Sequence, residues 1–325
     1  MNDKTLTKYN SVLKALAKGT KIADGFAVDG KQISATNLTI FATLNYNTAN
    51  TGVVNEMGLE RLALDPESDI TAFTHRSMTD LKDFPELSKI DFKTSIQMTP
   101  EINEALFEAV NYISGDQMRP ALTAVWIRNG SIYATDGYRA IRKVLGLPKE
   151  LDGVNLTKQM INLYKKVAKI GNWFISVSDH NVRLSNPDMT LTSNLIEAQF
   201  PDLDQIFRSA SEFDTVLTIP LETIRKIADK NHPHMNINLK TDEISIAGYS
   251  EAPVPTGIHI KQVKPVEMAK FTDYDDRKMI MPLTKNDPTF VGISLDNLKG
   301  IKADKDGSIR IWLNTDGTTT PMELI

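Results

Sequence analysis

The chain contains no cysteine. That excludes disulfides, thiolate metal sites and cysteine nucleophiles, and it fits a reducing cytoplasm. No apolar run of roughly 18 residues occurs, so nothing in the sequence reads as a membrane span. The first residues, MNDKTLTKYNSVLKALAKG, lack the uninterrupted apolar stretch of a secretory signal. There is no phosphate-binding glycine loop, no Gly-x-Ser-x-Gly and no zinc-protease motif. Histidine is scarce, with 5 in all, and His232-Pro233-His234 reads as a loop pair without further ligands. Asp273, Asp275 and Asp276 read as a solvated loop. Asp304-Lys305-Asp306-Gly307 lacks the distal Glu of a calcium loop and reads as a hairpin turn. Asp136 beside Gly137 is a turn aspartate. The sequence therefore offers no catalytic residue, no metal site and no cofactor, and the expectation is a protein that is not an enzyme.

What is present is uneven charge. The 325 residues carry a net charge of −4, which argues against nonspecific coating of nucleic acid if that charge is spread evenly. It is not. Residues 155–172 hold Lys158, Lys165, Lys166 and Lys169 and no acid. On a helix, Leu156, Met160, Leu163 and Val167 fall within about 40° of one direction, and Lys158, Lys165 and Lys169 within about 40° of the opposite one. One face packs on a core; the other is a row of ammonium groups that suits phosphates. Surface helices normally mix signs. Residues 1–21 carry Lys4, Lys8, Lys14, Lys18 and Lys21 against Asp3, with an apolar stripe at Leu6, Leu13, Leu16 and Ala17. Arg225, Lys226 and Lys230 form a third basic stretch. Glu101, Glu104 and Glu108 make the predicted helix at 101–113 acidic. Basic helices within an acidic whole suggest a basic interior and an acidic exterior.

The chain also repeats itself. RPALTAVWI (Arg119 to Ile127) leads into ATDGYRA (Ala134 to Ala140), and LIEAQFPDLDQIF runs from Leu195 to Phe207. Ile33-Ser34-Ala35-Thr36-Asn37 echoes Ile132-Tyr133-Ala134-Thr135-Asp136. Asp83-Phe84-Pro85-Glu86-Leu87 echoes Gln199-Phe200-Pro201-Asp202-Leu203, and Ile244-Ser245-Ile246-Ala247-Gly248 is a poorer third copy of the first phrase. Each copy of that phrase follows a turn, at Asp29-Gly30, Asn129-Gly130 and Thr241-Asp242. A period of roughly 110 residues exceeds that of solenoid repeats and implies similar domains with separate cores. The expected boundaries are 1–95, 96–212 and 213–325. Short runs at Ser131–Thr135, Trp173–Val177, Val182–Ser185 and Asp188–Ser193 predict strands, as do hairpins at 237–247 and 308–325. Strand runs with isolated helices predict an α+β fold with antiparallel sheets.

Together, RPALTAVWI followed by ATDGYRA, LIEAQFPDLDQIF and the closing TPMELI resemble the bacterial sliding clamp, the beta subunit of the replicative DNA polymerase. The resemblance is carried mainly by the middle third and the extreme C-terminus. It implies three clamp-type domains per chain, sheets outside, helices lining a central hole, and a homodimeric ring around double-stranded DNA. Such a protein is a processivity factor in the cytoplasm of a bacterial cell or phage-infected host. Its expected partners are DNA polymerase, the clamp loader and other proteins with short clamp-binding peptides, and no membrane. By this resemblance Lys18, Lys21, Lys158, Lys165, Lys169, Lys226 and Lys230 face DNA. A peptide-binding cleft uses Leu122, Thr135, Gly137, Tyr138, Ala140, Pro201, Ile206, Thr320, Pro321 and Met322. The sequence departs from the family pattern at Tyr138, where His is usual, at Ala140 for Leu, and at Glu323 for Arg. The stretch from Val53 to Phe84 is short for a full second half-domain. The alternative reading is a monomeric clamp-like interaction module that does not encircle DNA. A nucleic-acid hydrolase would need a metal cluster that the sequence lacks.

Overall fold

A computed structural model describes residues 3–18, 23–76, 80–85, 90–207, 213, 215–227, 233–247, 254–259, 261–263, 276–280, 290–298, 301, 306–313 and 322–324. For residues 3, 261–263, 276–280, 290–292, 296–297 and 322–324 the backbone alone is described. The first third holds helix α1 (Asp3–Ala17), strands β1 (Phe26–Asp29), β2 (Gln32–Thr36), β3 (Ile40–Asn45) and β4 (Thr51–Val54), helix α2 (Glu56–Leu64) and β5 (Thr94–Gln97). The middle holds α3 (Pro100–Ala109), β6 (Ala124–Arg128), β7 (Ser131–Thr135), β8 (Arg139–Val144), β9 (Asn155–Thr157), α4 (Lys158–Val167), β10 (Phe174–Val177), β11 (Asn181–Ser185) and β12 (Met189–Asn194). The last third holds β13 (Thr215–Pro220), α5 (Leu221–Ile227), β14 (His234–Asn238), β15 (Glu243–Ala247), β16 (Val254–His259), β17 (Lys261–Val263), β18 (Asp276–Ile280), β19 (Phe290–Ser294), β20 (Ser308–Leu313) and β21 (Met322–Leu324). The α+β class with antiparallel sheets is as expected. No described helix is long and apolar enough to cross a membrane.

The chain divides into two compact units. One is Met1–Val110 with Ala124–Gly130 and Leu147–Ala198; the other is Asn111–Thr123 with Ser131–Gly146 and Gln199–Ile325.

The first unit is built on an antiparallel sheet in the order β4-β1-β2-β3-β12-β11-β10-β5. Its hairpins follow from turn chemistry. Gly30 supplies a φ of +88°, which a side chain would resist, and the Asp29 carboxylate accepts the N–H groups of Lys31 and Gln32 at 2.9 and 2.7 Å. At the next turn the Thr36 hydroxyl donates to the Ile40 carbonyl at 2.9 Å while Asn37 Oδ1 accepts the Ile40 N–H at 2.8 Å. Such short polar side chains stand in for backbone partners. β3 then pairs with β12, Leu44 opposite Met189 and Ala42 opposite Leu191, so one sheet passes from the first repeat into the second.

Helices cover this sheet. α1 packs on β2 and β3 and also along α4. Tyr9, Val12, Leu13 and Leu16 are fully buried, a wider stripe than the sequence pattern gave. Each buried leucine contributes about 1.5–3 kcal/mol of transfer free energy. α4 starts at Thr157, whose hydroxyl accepts the Met160 N–H at 3.3 Å. α3 starts at Thr99 with Pro100 in the first turn, where the missing N–H costs nothing. α2 starts at Asn55, whose side chain caps Gly58 N. Gly58 has no substitute there, because a Cβ would lie 2.8 Å from Val54 Cβ and 3.0 Å from Phe73 Cβ. Between β4 and β5 the described residues contain α2, two short 3-10 turns and a single bridge, Val54 to Thr74. No described strand follows α2 before β5, in keeping with the short Val53–Phe84 stretch.

In the second unit the β7–β8 hairpin continues through β18, β21, β20 and β13 to β17. The order β16-β15-β14-β19 forms a separate sheet. The predicted hairpins are present as β14–β15 and β20–β21. The core between the sheets includes Leu217, Ile219, Met235, Ile237, Ile244, Ile293 and Ile311, with Ile224 and Ile227 from α5.

Candidate functional site

Two surfaces carry the residues singled out by sequence, one in each unit. In the first unit, α4 presents the expected two faces. Met160, Leu163 and Val167 are buried, together with Leu156 in β9 and with Ile161 and Tyr164. Lys158, Lys165 and Lys169 are exposed, as is Lys166. The Lys165 ammonium lies 5.4 Å from the centre of the Phe107 ring, a contact that orders the side chain without neutralising it. Tyr164 anchors the buried face: its hydroxyl meets Asn103 Oδ1 at 2.8 Å and its ring meets Trp173 edge-on at 5.2 Å. Burial pushes its phenol pKa well above the usual range.

Lys18 is exposed and lies 3.6 Å from Glu56. Lys226 is exposed on α5, in the second unit. Lys21 and Lys230 lie outside the described residues. Among the described residues no group of three or more His, Asp or Glu side chains is placed to hold a metal ion, and Asp136 serves its turn.

That turn begins the second surface. The Thr135 hydroxyl donates to the Arg139 carbonyl at 2.7 Å and accepts the Gly137 N–H at 3.0 Å. Asp136 Oδ1 accepts the N–H groups of Tyr138 and Arg139 at 2.8 and 2.7 Å. Its Oδ2 accepts Arg139 Nε at 2.9 Å, while Arg139 Nη2 donates to the Asn111 carbonyl at 2.9 Å. Gly137 has a φ of +93°. The hairpin tip is thus fixed, and it holds the Tyr138 side chain 65% exposed.

Two further segments reach this hairpin. The turn at 119–123 brings Arg119 close: a Cβ on Gly137 would lie 3.0 Å from Arg119 Nη1. Leu122 is buried in that turn, its carbonyl accepting the Ser114 N–H at 2.7 Å. The 200–207 segment is clasped to the hairpin by Tyr133 and Arg142, which stand opposite each other across β7 and β8. The Tyr133 hydroxyl donates to Asp204 Oδ1 at 2.6 Å and Arg142 Nη1 to the same oxygen at 3.1 Å. Arg142 also stacks over Phe207 at 5.0 Å, and Tyr133 meets Phe200 at 6.5 Å. Side chains alternate along a strand, so Thr135 and Ala140 share the face that carries Tyr133 and Arg142. Burial, then the bond to Asp204, pushes the Tyr133 phenol up to about 12.

The structure therefore brings Leu122, Thr135, Gly137, Tyr138 and Ala140 to one neighbourhood with the segment bearing Pro201 and Ile206. Leu122, Thr135 and Ala140 are themselves buried, whereas Gly137, Tyr138 and Pro201 are exposed and Ile206 half-buried. The Met322 backbone arrives by strand register: Ile280 pairs with Arg139 on one side and with Met322 on the other. Thr320 and Pro321 lie outside the described residues. Sequence reasoning missed Arg119, Tyr133, Arg142 and Asp204. Arg119, Tyr133 and Asp204 lie inside the quoted phrases, and their polar side chains amid apolar neighbours were the available signal.

No family profile and no curated protein sequence matches the chain. Solved structures do. The beta subunit of the DNA polymerase of Streptococcus pyogenes superposes with a TM-score of 0.71 at 13% identity, covering 100% of this chain and 98% of that one. The Pseudomonas aeruginosa sliding clamp bound to griselimycin gives 0.70 at 13% identity, covering 100% and 97%. The Thermotoga maritima beta subunit gives 0.65 at 15% identity, covering 100% and 97%. The fold over the whole chain is that of the bacterial sliding clamp.

Proposed function

We propose that this chain is a DNA polymerase processivity factor: a non-enzymatic, homodimeric ring that encircles duplex DNA and tethers replication proteins by their clamp-binding peptides. The observation that carries this reading is the full-length clamp fold combined with an exposed, acid-free lysine row on α4. Three domains, 1–95, 96–212 and 213–325, would place six like units around a duplex. Lys158, Lys165 and Lys169 meet phosphates, and the sequence resemblance groups Lys18, Lys21, Lys226 and Lys230 with them. Topological holding permits weak affinity at each phosphate, which suits sliding. The hairpin tip at 135–140, the 200–207 segment and the C-terminal strand form the peptide cleft, with Leu122, Thr135, Gly137, Tyr138, Ala140, Pro201, Ile206, Thr320, Pro321 and Met322 contributing. An apolar slot with a few fixed polar groups suits an aliphatic or aromatic anchor. The polymerase, a clamp loader and other peptide-bearing proteins in the cytoplasm of a bacterial cell or phage-infected host are the partners.

The test is topological. Light scattering should give a mass twice the 36.2 kDa chain. Protein loaded on closed circular DNA should be retained and then lost on linearisation. A monomer at micromolar concentration, or release indifferent to linearisation, sinks the ring.

A further inference from the structure

The lysines of α1 do not behave as one group. At its C-terminal end Lys14 Nζ lies 2.5 Å from Glu60 Oε1 and 3.2 Å from Glu56 Oε1, and Lys18 Nζ lies 3.6 Å from Glu56 Oε2. Both acids come from α2. The Lys14 side chain is only 24% exposed, and its hydrogen bond is the largest cause holding the Glu56 carboxyl below its usual range. Two carboxylates against two ammoniums leave that end of α1 without net charge.

The other end differs. Lys4 and Lys8 are exposed one turn apart and make no ion pair with the described residues. Lys8 lies beside α4: the Lys166 Nζ reaches the Ser11 carbonyl at 3.5 Å, and the Ser11 hydroxyl donates to the Lys8 carbonyl at 2.7 Å. Lys166 therefore stands about one helical turn from Lys8 across the junction of the two helices, and Lys165 and Lys169 continue the row along α4.

We infer that the duplex-DNA contact of the first unit extends beyond Lys158 along this helix seam, Lys4 and Lys8 of α1 with Lys165, Lys166 and Lys169 of α4. In the same arrangement Glu56 and Glu60 occupy Lys14 and Lys18 in place of phosphate. The inference rests on the reading that the chain holds duplex DNA, and it goes further by dividing the lysines of one helix into contacting and non-contacting pairs. The physics is counterion release. A lysine that meets a phosphate adds about 0.9 to the slope of log affinity against log salt. A lysine already paired with a fixed carboxylate adds little, because DNA must first displace that carboxylate. Lys18, grouped with the DNA-facing residues by sequence, then contributes no net charge.

Fluorescence anisotropy of a labelled duplex oligonucleotide, titrated with full-length protein at several salt concentrations, separates the pairs. Lys4→Ala with Lys8→Ala should flatten the salt slope by about 1.8 per chain, or about 3.6 for a ring of two chains. Lys14→Ala and Lys18→Ala combined with Glu56→Gln and Glu60→Gln, which removes the whole neutral group, should leave it unchanged. Glu56→Gln with Glu60→Gln should tighten binding and steepen the slope, since it frees two ammoniums. Lys4, Lys8, Lys18 and Glu60 are exposed and Lys14 and Glu56 partly buried, so a thermal melt checks each fold. Equal flattening by the Lys4 and Lys8 variant and by the combined variant, or no gain from the Gln variant, overturns the seam. Lys158→Glu with Lys165→Glu and Lys169→Glu is the reference. If it weakens binding while the Lys4 and Lys8 variant does not, the seam alone fails. If none of the lysine variants matters, the DNA reading fails with it.

Discussion

Tyr133→Phe isolates the clasp that holds the 200–207 segment to its hairpin. The change removes one hydroxyl and keeps the ring that meets Phe200. The lost bond is 2.6 Å long and runs to a carboxylate that Arg142 also contacts. A hydrogen bond to a charged group is worth about 1.5–3 kcal/mol. The Asp204 side chain is 42% exposed, so water recovers part of that, and about 1 kcal/mol of destabilisation is the expected net. Urea unfolding should show a lower midpoint at unchanged slope. Pro201 and Ile206 ride on the same segment, so on the proposed function loosening it reduces the fraction of molecules competent to take a peptide. The apparent Kd then rises by the reciprocal of that fraction, which for about 1 kcal/mol of loosening is at most about fivefold. There is also a pH signature. The folded-state value of Tyr133, about 12, exceeds the unfolded value of about 10. Between those values the unfolded chain has released the proton that the folded state keeps. The corresponding stability is whole below about pH 10 and declines as pH rises towards 12. The Phe variant should lack that alkaline component. An unchanged urea midpoint together with an unchanged peptide Kd would refute the claim that this bond positions the segment.

Three other outcomes are expected. Replacing Lys158, Lys165 and Lys169 together by Glu should abolish retention on circular DNA while costing under about 0.5 kcal/mol of stability per site, because all three are exposed; undiminished retention counts against the assignment. Met322→Ala should weaken a fluorescent Gln-x-x-Leu-Phe peptide by about 1–2 kcal/mol, and equal affinities for both proteins would mean the cleft is misplaced. Leu38→Gly should stabilise the fold by up to about 1 kcal/mol, because Leu38 holds a φ of +74° that costs a side-chain-bearing residue; a lowered thermal midpoint would show that the Leu38 side chain contributes more than its backbone costs.

Local rules explain what the sequence disclosed. The two faces of α4 follow from spacing alone, and each turn was marked by Asp, Asn or Gly whose side chain or φ now accounts for it. The pairing of β3 with β12 and of β8 with β18 was not legible. Those registers join segments far apart in the chain, and nothing in a strand's own pattern names its distant neighbour. The same limit hid Glu56 and Glu60. They sit on α2 and look like ordinary solvated acids until the fold sets them against Lys14. Asp204 was read as part of a phrase, and its role depends on Tyr133 and Arg142 being opposite each other on a hairpin more than 60 positions earlier.

The repeated turns show how one scaffold would acquire the proposed site. Thr36-Asn37-Leu38 and Thr135-Asp136-Gly137 use the same hydrogen bonds: a hydroxyl to the carbonyl four residues on, and a side-chain oxygen to the backbone N–H three residues on. Leu38 and Gly137 occupy the same position with φ values of +74° and +93°. Asn186 solves a third such turn, accepting the Met189 N–H at 2.7 Å. Pro187, which cannot take a positive φ, sets that third turn apart; between the first two, geometry does not distinguish and added side chains do. Only the copy at 135–140 places an arginine at the next position, and Arg139 ties the turn to Asp136 and to the Asn111 carbonyl. Arg119 then closes on Gly137, where a side chain would crowd it. With its backbone held from these directions, the tip can leave Tyr138 projecting into solvent without loosening. On the proposed function, a rigid turn presenting an exposed aromatic suits a peptide-binding rim, whereas the equivalent Thr39, on a turn tied to α4 by Asn37 Nδ2 donating to Gln159 Oε1 at 2.9 Å, offers no ring.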